Sequence, residues 1–210
     1  MSDGEKRRRR VGLLGGTFDP IHVGHLMMAE AVRSEYALDK IIFIPSSVPP
    51  HKRDRQVAPA EDRYQMTVLA TVSNPYFEVS DIELKRQGPS YSIDTVQAYL
   101  DAYGHDTDFF FIIGTDVIKD IETWNRIEEL LGICEFVAAS RPGGEPDLAK
   151  LRALFGELGE KRIHPLETPE LEISSTDIRE HLKKGHSIRY VVPPAVEAYI
   201  YKKGLYKDEL

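Results

Sequence analysis

The sequence predicts an α/β fold with a doubly wound parallel sheet, and two observations predict it. Short runs that are apolar throughout alternate with segments of helical periodicity. Strands of this kind are buried on both faces, and the helices between them let successive strands run parallel. The chain has 210 residues, of which 41% are apolar and 29% charged, as in a globular protein that buries its own core. Ligands of such folds bind at the carboxyl ends of the strands.

The individual elements follow from hydrophobic periodicity. Apolar runs predict strands over residues 11–14, 41–44, 109–113 and 136–139. Residues 77–84 also look extended, and two helices close the chain at about 175–184 and 194–203. Apolar residues spaced three or four apart predict four further helices, marked by Met28, Val32 and Tyr36; Tyr64, Val68 and Val72; Ile93, Val96 and Leu100; and Ile127, Leu130 and Leu131.

The domain organisation is predicted to be simple. Residues 1–10 form a basic tail, in which five consecutive cations over 6–10 are read as a solvated run ahead of the first strand. The alternative for these cations is an arm for membranes or nucleic acid. Residues 11–210 form a single domain, whose part from about 147 onwards, after a linker at 141–146, is a small C-terminal helical subdomain.

Charge and cysteine content limit the partners. The net charge of −7 argues against nucleic acid as the main partner. The sequence contains no run of about 18 apolar residues, so no membrane-spanning helix is expected. One cysteine, Cys134, excludes an intramolecular disulfide and fits a reducing cytoplasm. We therefore expect a cytoplasmic protein with neither membrane nor nucleic-acid partners, and a homo-oligomer stays open.

The most informative segment is residues 15–25, which follows the first strand and opens the first helix. Gly15 and Gly16 let the backbone approach a ligand, and a helix N-terminus attracts an anion. His22 and His25 share one face of the first turn, and Gly24 between them removes a side chain where a phosphate would press in. A glycine pair is usually only a turn, and a lone histidine is usually a core or surface residue. In this strand–loop–helix context, however, the parts together predict a phosphate site.

A second segment, residues 173–179, allows two interpretations. Ser175 or Thr176 is a good N-cap for the helix that follows. Alternatively, the hydroxyls of Ser174, Ser175 and Thr176 together with Arg179 form an anion clamp, since arginine offers a forked set of donors. The histidine segment favours the clamp, as part of one shared phosphate site.

Other phosphate and metal motifs are missing. The sequence has neither the P-loop lysine motif nor the glycine pattern of hydride-transfer dinucleotide sites. Zinc needs three or four ligands, and no further cysteine or histidine stands at a suitable spacing from His22 and His25. We expect no metal site built by the protein.

These residues resemble those of bacterial nicotinate-nucleotide adenylyltransferases, within the HxGH nucleotidyltransferase superfamily. Residues 15–25 resemble the family's ATP motif and 173–179 its second phosphate motif. The segments 49–52, 89–95, 113–116 and 141–143, and Trp124, fall in the family's order. The superfamily motifs are shared with pantetheine-phosphate adenylyltransferases, and Trp124 with residues 90–95 narrows the resemblance to the pyridine branch. Ser92 stands where threonine is expected, with the hydroxyl retained.

The resemblance implies a Rossmann-like nucleotidyltransferase fold and a reaction of ATP with nicotinate mononucleotide, which yields the dinucleotide and pyrophosphate. The sequence shows no carboxylate cluster, so Mg²⁺ is expected to arrive on ATP. The implied roles are catalysis by His22, His25 and Arg179; ATP binding by Gly15, Gly16, Thr17, Phe18, Gly24, Gly114, Asp116, Ser174, Ser175 and Thr176; and mononucleotide binding by Lys52, Ser92, Trp124, Asn125 and Arg141.

Several alternatives remain at this stage. Trp124 precedes an apolar helical stripe and could be a core aromatic rather than a stacking platform. The acceptor could be nicotinamide mononucleotide or phosphopantetheine. A class I aminoacyl-tRNA synthetase fragment would need a Lys-Met-Ser-Lys-Ser-like loop, where this chain has Ile-Ser-Ser-Thr. A nucleotide sensor without catalysis would not need both phosphate motifs.

Overall fold

The computed structural model describes residues 7–47, 57–86, 88–104, 106–118, 120–140, 148–169 and 171–207. Six strands in these ranges form one sheet, and all of its strand pairs are parallel. The strand order is β3-β2-β1-β4-β5-β6. Successive strands are added toward one edge from β1 to β3 and toward the other edge from β4 to β6, so the topological switch point lies between β1 and β4. The strands are β1 (Arg9–Gly16), β2 (Lys40–Pro45), β3 (Phe77–Val79), β4 (Thr107–Gly114), β5 (Glu135–Ser140) and β6 (Ile163–Glu167).

Helices cover both faces of this sheet, and a hydrophobic cluster lies on each face. Val11 and Leu13 of β1 point into one cluster and Leu14 into the other, as the alternation of a strand requires. The predicted fold class is confirmed. The helices are α1 (Val23–Glu35), α2 (Ala60–Thr71), α3 (Ile82–Lys85), α4 (Ser92–Tyr103), α5 (Thr115–Ile118), α6 (Ile127–Ile133), α7 (Leu148–Arg162), α8 (Ser175–Lys183) and α9 (Pro194–Lys203), with a 3₁₀ turn at Ile121–Thr123.

The basic run is held against the sheet where the structure describes it. Strand β1 begins at Arg9, two residues before the predicted boundary at residue 11. Arg8 pairs with Asp108 at 2.8 Å, and the Arg10 guanidinium lies 4.7 Å from the centre of the Phe110 ring. These contacts engage the cations at residues 8 and 10 with β4, while residues 7–9 stay exposed to solvent.

The C-terminal part contains a strand that the sequence analysis missed. Strand β6 pairs with β5, with Pro165 opposite Ala138, so this part is tied to the sheet and is not purely helical. Helix α7 was also missed, and it is interrupted at Gly156, whose φ is 57°. Helix α9 begins with Pro194 in its first turn and ends at Gly204 in the left-handed region, a usual pair of start and stop signals.

Two other expectations need correction. Residues 77–84 are not extended throughout, because β3 ends at Val79 and α3 begins at Ile82. Helix α2 is confirmed, but the predicted apolar stripe is not its buried face, since Val72 is 78% exposed. The buried face includes Arg63, whose side chain is 1% exposed and satisfied by backbone carbonyls. No helix in the described ranges is both long and apolar enough to cross a membrane.

Candidate active site

A cleft of about 850 Å³ opens at the carboxyl ends of β1, β2, β4 and β5. This is the edge at which ligands of doubly wound sheets bind. Most of the predicted site residues line it, although they come from segments far apart in the chain. Those that do are Gly15, Gly16, Thr17, Phe18, His22, Gly24, His25, Ser92, Gly114, Trp124, Asn125, Ser174, Ser175 and Thr176.

Four further predicted residues are accounted for separately. Lys52 and Arg141 lie outside the described residues. Asp116 lies in α5, but its side chain is not described. Arg179 is described and is not among the residues that line the cleft.

We call the turn Gly15–Phe18, His22, His25 and the starts of α1 and α8 the phosphate end of the cleft. The turn is tightly packed: Phe18 is buried and has a φ of 48°, in the left-handed region. A Cβ at Gly16 would lie 2.8 Å from the Phe18 ring, so only glycine fits there. The positive φ of Phe18 costs free energy in a residue other than glycine, and such conformations commonly occur at ligand sites.

His22 caps α1 and is only 6% exposed. Burial lowers the pKa of its imidazole to about 4, so the ring is neutral at pH 7. The Nδ1 atom has no hydrogen-bond partner among the residues that the structure describes. A Cβ at Gly24 would lie 3.0 Å from this nitrogen, so the glycine makes room first for the His22 ring.

His25 lies against His22, with ring centres 3.7 Å apart, and meets the edge of Phe18. Its Nδ1 accepts the backbone N–H of His22 at 3.2 Å. A neutral imidazole with Nδ1 as acceptor carries its proton on Nε2. His25 is therefore oriented by the backbone, with an N–H donor on the opposite side of its ring.

The second phosphate segment joins the first through the Asp19–Pro20 turn. The N-cap of α8 is Ser174, rather than Ser175 or Thr176, and its Oγ accepts the N–H of Asp177 at 3.1 Å. The Ser175 hydroxyl donates to the Pro20 carbonyl at 2.9 Å. Both hydroxyls thus have structural partners, and α8 brings its N-terminus to the cleft beside α1.

Arg179 lies one turn into α8, and its side chain is 22% exposed. Its Nη1 donates to the backbone carbonyl of Asp19 at 2.6 Å, and its Nη2 donates to Thr176 Oγ1 at 3.2 Å. The guanidinium thus stands behind the phosphate end, adjacent to the turn. A direct contact of Arg179 with substrate stays a prediction.

The opposite side of the cleft, which we call the acceptor end, comprises Glu83, Ser92, Trp124 and Asn125. The Trp124 ring meets Phe111 edge-on at 5.8 Å and is partly exposed. It packs on the core and also lines the cleft, so both interpretations of this residue hold in part. Ser92 is the first residue of α4, so the N-terminus of that helix lies at the cleft as well.

The sequence analysis missed Glu83, a buried carboxylate at the acceptor end. Burial raises the pKa of Glu83, and this is partly opposed by the Thr95 hydroxyl, which donates to Oε1 at 2.9 Å. Its segment looked extended in sequence, so nothing pointed to a site. The missed lining also includes Met28, Ser46, Tyr91, Val117, Thr168, Pro169 and Leu171.

No group of three or more histidine, cysteine, aspartate or glutamate side chains in the described ranges could hold a metal ion. Glu83 is the only carboxylate among the described residues that line the cleft. The cleft offers helix N-termini, hydroxyls, imidazoles and an aromatic ring. This set of groups suits a nucleotide better than a metal held by the protein.

Comparisons with known proteins agree with this chemistry. Residues 13–181 match the model of the cytidylyltransferase-like family. The chain is 50% identical over 209 residues to a probable nicotinate-nucleotide adenylyltransferase of Thermoanaerobacter sp., with 97% of each chain covered. It is 52% identical over 205 residues to one of Moorella thermoacetica, covering 97% of this chain and 94% of that protein. The fold is similar to that of Plasmodium falciparum nicotinic acid mononucleotide adenylyltransferase complexed with NaAD, with a TM-score of 0.77 at 21% identity, covering 94% and 97% of the two chains.

Proposed function

The chain belongs to the nicotinate-nucleotide adenylyltransferase family, and from that premise we propose how its cleft transfers AMP from ATP to nicotinate mononucleotide. One observation carries the proposal. The same cleft has a phosphate end, which is built from the N-termini of α1 and α8, and an acceptor end, which contains the Trp124 ring and the N-terminus of α4. A triphosphate and a pyridine nucleotide need these two kinds of surface, side by side.

The reaction makes modest chemical demands. A phosphate oxygen of the mononucleotide forms a bond to the α-phosphorus of ATP, and the bond from that phosphorus to the bridging oxygen breaks. Pyrophosphate leaves with the bonding electrons. The attacking oxygen is already ionised at neutral pH, so the step needs no general base and no side-chain nucleophile. It needs alignment of the two substrates and stabilisation of charge on the phosphates.

The phosphate end can supply that stabilisation. The starts of α1 and α8 orient backbone dipoles toward an anion. We assign the His25 Nε2–H as a donor to a phosphate oxygen, because its Nδ1 is committed to the backbone of His22. His22 contributes as a neutral ring, since its charged form is disfavoured by burial. The Gly15–Phe18 turn holds the backbone close to the nucleotide.

The acceptor end is proposed to read the base. The partly exposed Trp124 ring can stack on the pyridine, while backbone N–H groups at the start of α4 and near Asn125 face its carboxylate. A carboxylate only accepts hydrogen bonds, whereas a carboxamide would turn donors of its own toward these N–H groups. Leaving a buried polar group unpaired costs about 1–3 kcal/mol, and the charge-assisted hydrogen bonds to the carboxylate add to this difference between the two bases.

Magnesium is proposed to enter with ATP. The described cleft has hydroxyl and backbone groups near the phosphate end rather than a set of carboxylates. This fits an ion that keeps phosphate and water oxygens as its ligands. Bound in that way, magnesium would neutralise phosphate charge, and the protein would align the substrates.

We further propose that the protein works in the cytoplasm on small-molecule substrates alone. The single cysteine, Cys134, is buried, and burial raises the pKa of its thiol, which suits a structural residue. Cell fractionation and analytical ultracentrifugation test the location and the oligomeric state.

The function is tested by incubating the protein with ATP, Mg²⁺ and one acceptor at a time, and measuring pyrophosphate. Nicotinate mononucleotide should be preferred over nicotinamide mononucleotide by at least about 100-fold in kcat/KM, since about 1.4 kcal/mol corresponds to a factor of ten. Phosphopantetheine should give no product. Similar values for the two mononucleotides would refute the proposed specificity, and product with phosphopantetheine alone would refute the proposed acceptor.

A further inference from the structure

The carboxylate of Asp19 lies at the centre of a buried network that reaches the C-terminal end of the chain. Asp19 is 4% exposed and stands between the glycine turn and His22. The Tyr206 hydroxyl donates to its Oδ1 at 2.7 Å, and the backbone N–H of Ala58 donates to the same oxygen at 3.2 Å. Tyr206 is the fifth residue from the C-terminus, so this bond joins two distant parts of the sequence.

The backbone of the same turn supports the second phosphate segment. The Asp19 carbonyl accepts Arg179 Nη1, and the Pro20 carbonyl accepts the Ser175 hydroxyl. A displacement of this turn would therefore move Arg179 and the start of α8 together. Both belong to, or lie directly behind, the phosphate end.

Charge and backbone conformation fit an anchoring role for Tyr206. Burial and the negative charge of Asp19 both raise the pKa of the Tyr206 hydroxyl well above its usual range, so it stays a donor at physiological pH. The φ of Tyr206 is 64°, an unfavourable conformation for a bulky side chain, which persists where surrounding contacts hold it. The conformation places a bulky residue where its hydroxyl meets Asp19.

A second anchor acts on the other side of the turn. Arg63 Nη1 donates to the Thr17 carbonyl at 2.7 Å, and its Nε donates to the Ala58 carbonyl at 2.9 Å. Ala58 is also the residue whose N–H reaches Asp19. Arg63 thus fixes the turn from the side of α2. From the C-terminal side, the Asp19 carboxylate is held by the Tyr206 hydroxyl and by Arg179, whose Nη1 lies 3.6 Å from Oδ2.

We propose that Tyr206 is a positioning residue for catalysis: by holding the Asp19 carboxylate, it keeps the Asp19–Pro20 turn, Arg179 and the start of α8 in register with the phosphates of ATP. Tyr206 does not line the cleft and acts through Asp19. The alternative is that Tyr206 only anchors the end of the chain, which would affect stability and leave catalysis unchanged. The proposal rests on the proposed function.

A matched control is available in the same part of the chain. The Tyr199 hydroxyl donates to Asp62 Oδ1 at 2.7 Å, the same bond at the same length, but it joins α9 to α2 away from the cleft. Tyr206→Phe should lower kcat/KM for ATP by about tenfold, because small misplacements of catalytic groups have effects of this size or larger. Tyr199→Phe should keep kcat/KM within about twofold of wild type, because Asp62, unlike Asp19, does not belong to the turn that supports the phosphate end.

The two variants should be compared where both are fully folded, as judged by circular dichroism and urea unfolding. Isothermal titration calorimetry with ATP and no acceptor measures the ATP Kd without turnover. The ATP Kd should rise several-fold in Tyr206→Phe and remain unchanged in Tyr199→Phe.

Equal ATP affinity and equal kcat/KM in the two variants would overturn the proposal. A wild type that binds ATP but releases no pyrophosphate would overturn the proposed function instead, and the ATP Kd comparison would still test Tyr206.

A double-mutant cycle tests the route of the effect. In an Arg179→Gln background, Tyr206→Phe should reduce kcat/KM by clearly less than the roughly tenfold expected in the wild-type background, because one of the groups that it positions is already lost. If the two effects multiply independently, Tyr206 does not act through Arg179, and the proposal is wrong.

Discussion

At the phosphate end of the cleft, residues 15–25 form one continuous segment whose glycines, histidines and helix start act together, whereas at the acceptor end three separate segments each contribute one or two groups. The phosphate end is also anchored from behind, since Arg63, Tyr206 and Arg179 all bond to residues 17–19. The acceptor end depends on the packing of Trp124 against Phe111. In the proposed function, phosphate recognition therefore rests on a braced backbone, and base recognition rests on a few side chains and N–H groups.

If the phosphate end works as a rigid unit, losing one oriented donor from it should have the largest effect. His25→Ala should lower kcat/KM by about 10²–10³, the range for losing one preorganised donor to developing charge. The folded state should survive, because the ring lines the cleft. Steady-state kinetics and thermal unfolding of the variant provide the measurement.

The exposed His181 on α8 provides a control for this substitution. His181→Ala should leave kcat/KM unchanged, since its ring does not line the cleft. Wild-type turnover by His25→Ala would remove the ring from the phosphate site. A variant that fails to fold would instead support a core role for His25.

The contrast between the two ends also explains what could be predicted from sequence. The phosphate motifs could be read because they are local: a strand, two glycines and a helix start lie within about a dozen residues, and apolar runs identify the central strands. Strand β6 escaped because it is an edge strand of the described sheet, contains Pro165 and alternates only weakly. Helix α7 is interrupted at Gly156, which breaks its periodicity.

The missed contributors share one physical feature, which is dependence on tertiary contacts. Glu83 and Arg63 are charged residues, which sequence patterns place at the surface, and only the folded structure supplies the hydroxyl and carbonyl partners that let them be buried. The partnership of Asp19 with Tyr206 spans 187 residues. Periodicity carries no information on contacts of this kind.

Within the phosphate end, the buried neutral His22 should make stability depend on pH. Its folded-state pKa of about 4 lies below the ordinary histidine value of 6.5, so the unfolded chain binds more protons between these values. Stability therefore falls as pH decreases through this window. From pH 7 to pH 5 the loss due to His22 should be about 2 kcal/mol, taking 1.36 kcal/mol for each pH unit below 6.5.

Urea unfolding of wild type and His22→Asn at pH 7 and pH 5 isolates this contribution, because other titrating groups are common to both proteins. The variant should lose about 2 kcal/mol less than wild type over this interval. Parallel pH dependence in the two proteins would show that His22 is not buried as a neutral ring.

At the acceptor end, removing the single aromatic ring should weaken the acceptor and spare ATP. Trp124→Ala should lower kcat/KM for the mononucleotide by about 10- to 30-fold. This corresponds to about 1.4–2 kcal/mol, within the range of about 1–3 kcal/mol that stacking of a base on an aromatic ring contributes. The effect should be similar for nicotinate and nicotinamide mononucleotides, because stacking does not sense the substituent. The ATP KM should stay near that of wild type. Normal acceptor kinetics in the variant would make Trp124 a core residue alone.

The smallest expected effect distinguishes geometry from charge behind the phosphate end. Arg179 uses two different nitrogens, Nη1 for the Asp19 carbonyl and Nη2 for Thr176 Oγ1, and lysine can present only one ammonium group. Arg179→Lys keeps the positive charge and loses one of these bonds, which should lower kcat/KM for ATP by about tenfold.

Arg152→Lys is the matched control. Arg152 lies on α7 with its side chain 68% exposed, and its pair with Glu160 at 3.6 Å is a surface ion pair that contributes little to stability. If both substitutions have the same effect, the forked geometry of Arg179 is irrelevant, and charge near the phosphates is sufficient. If only Arg179→Lys is impaired, the phosphate end depends on how its backbone is held as well as on its net charge.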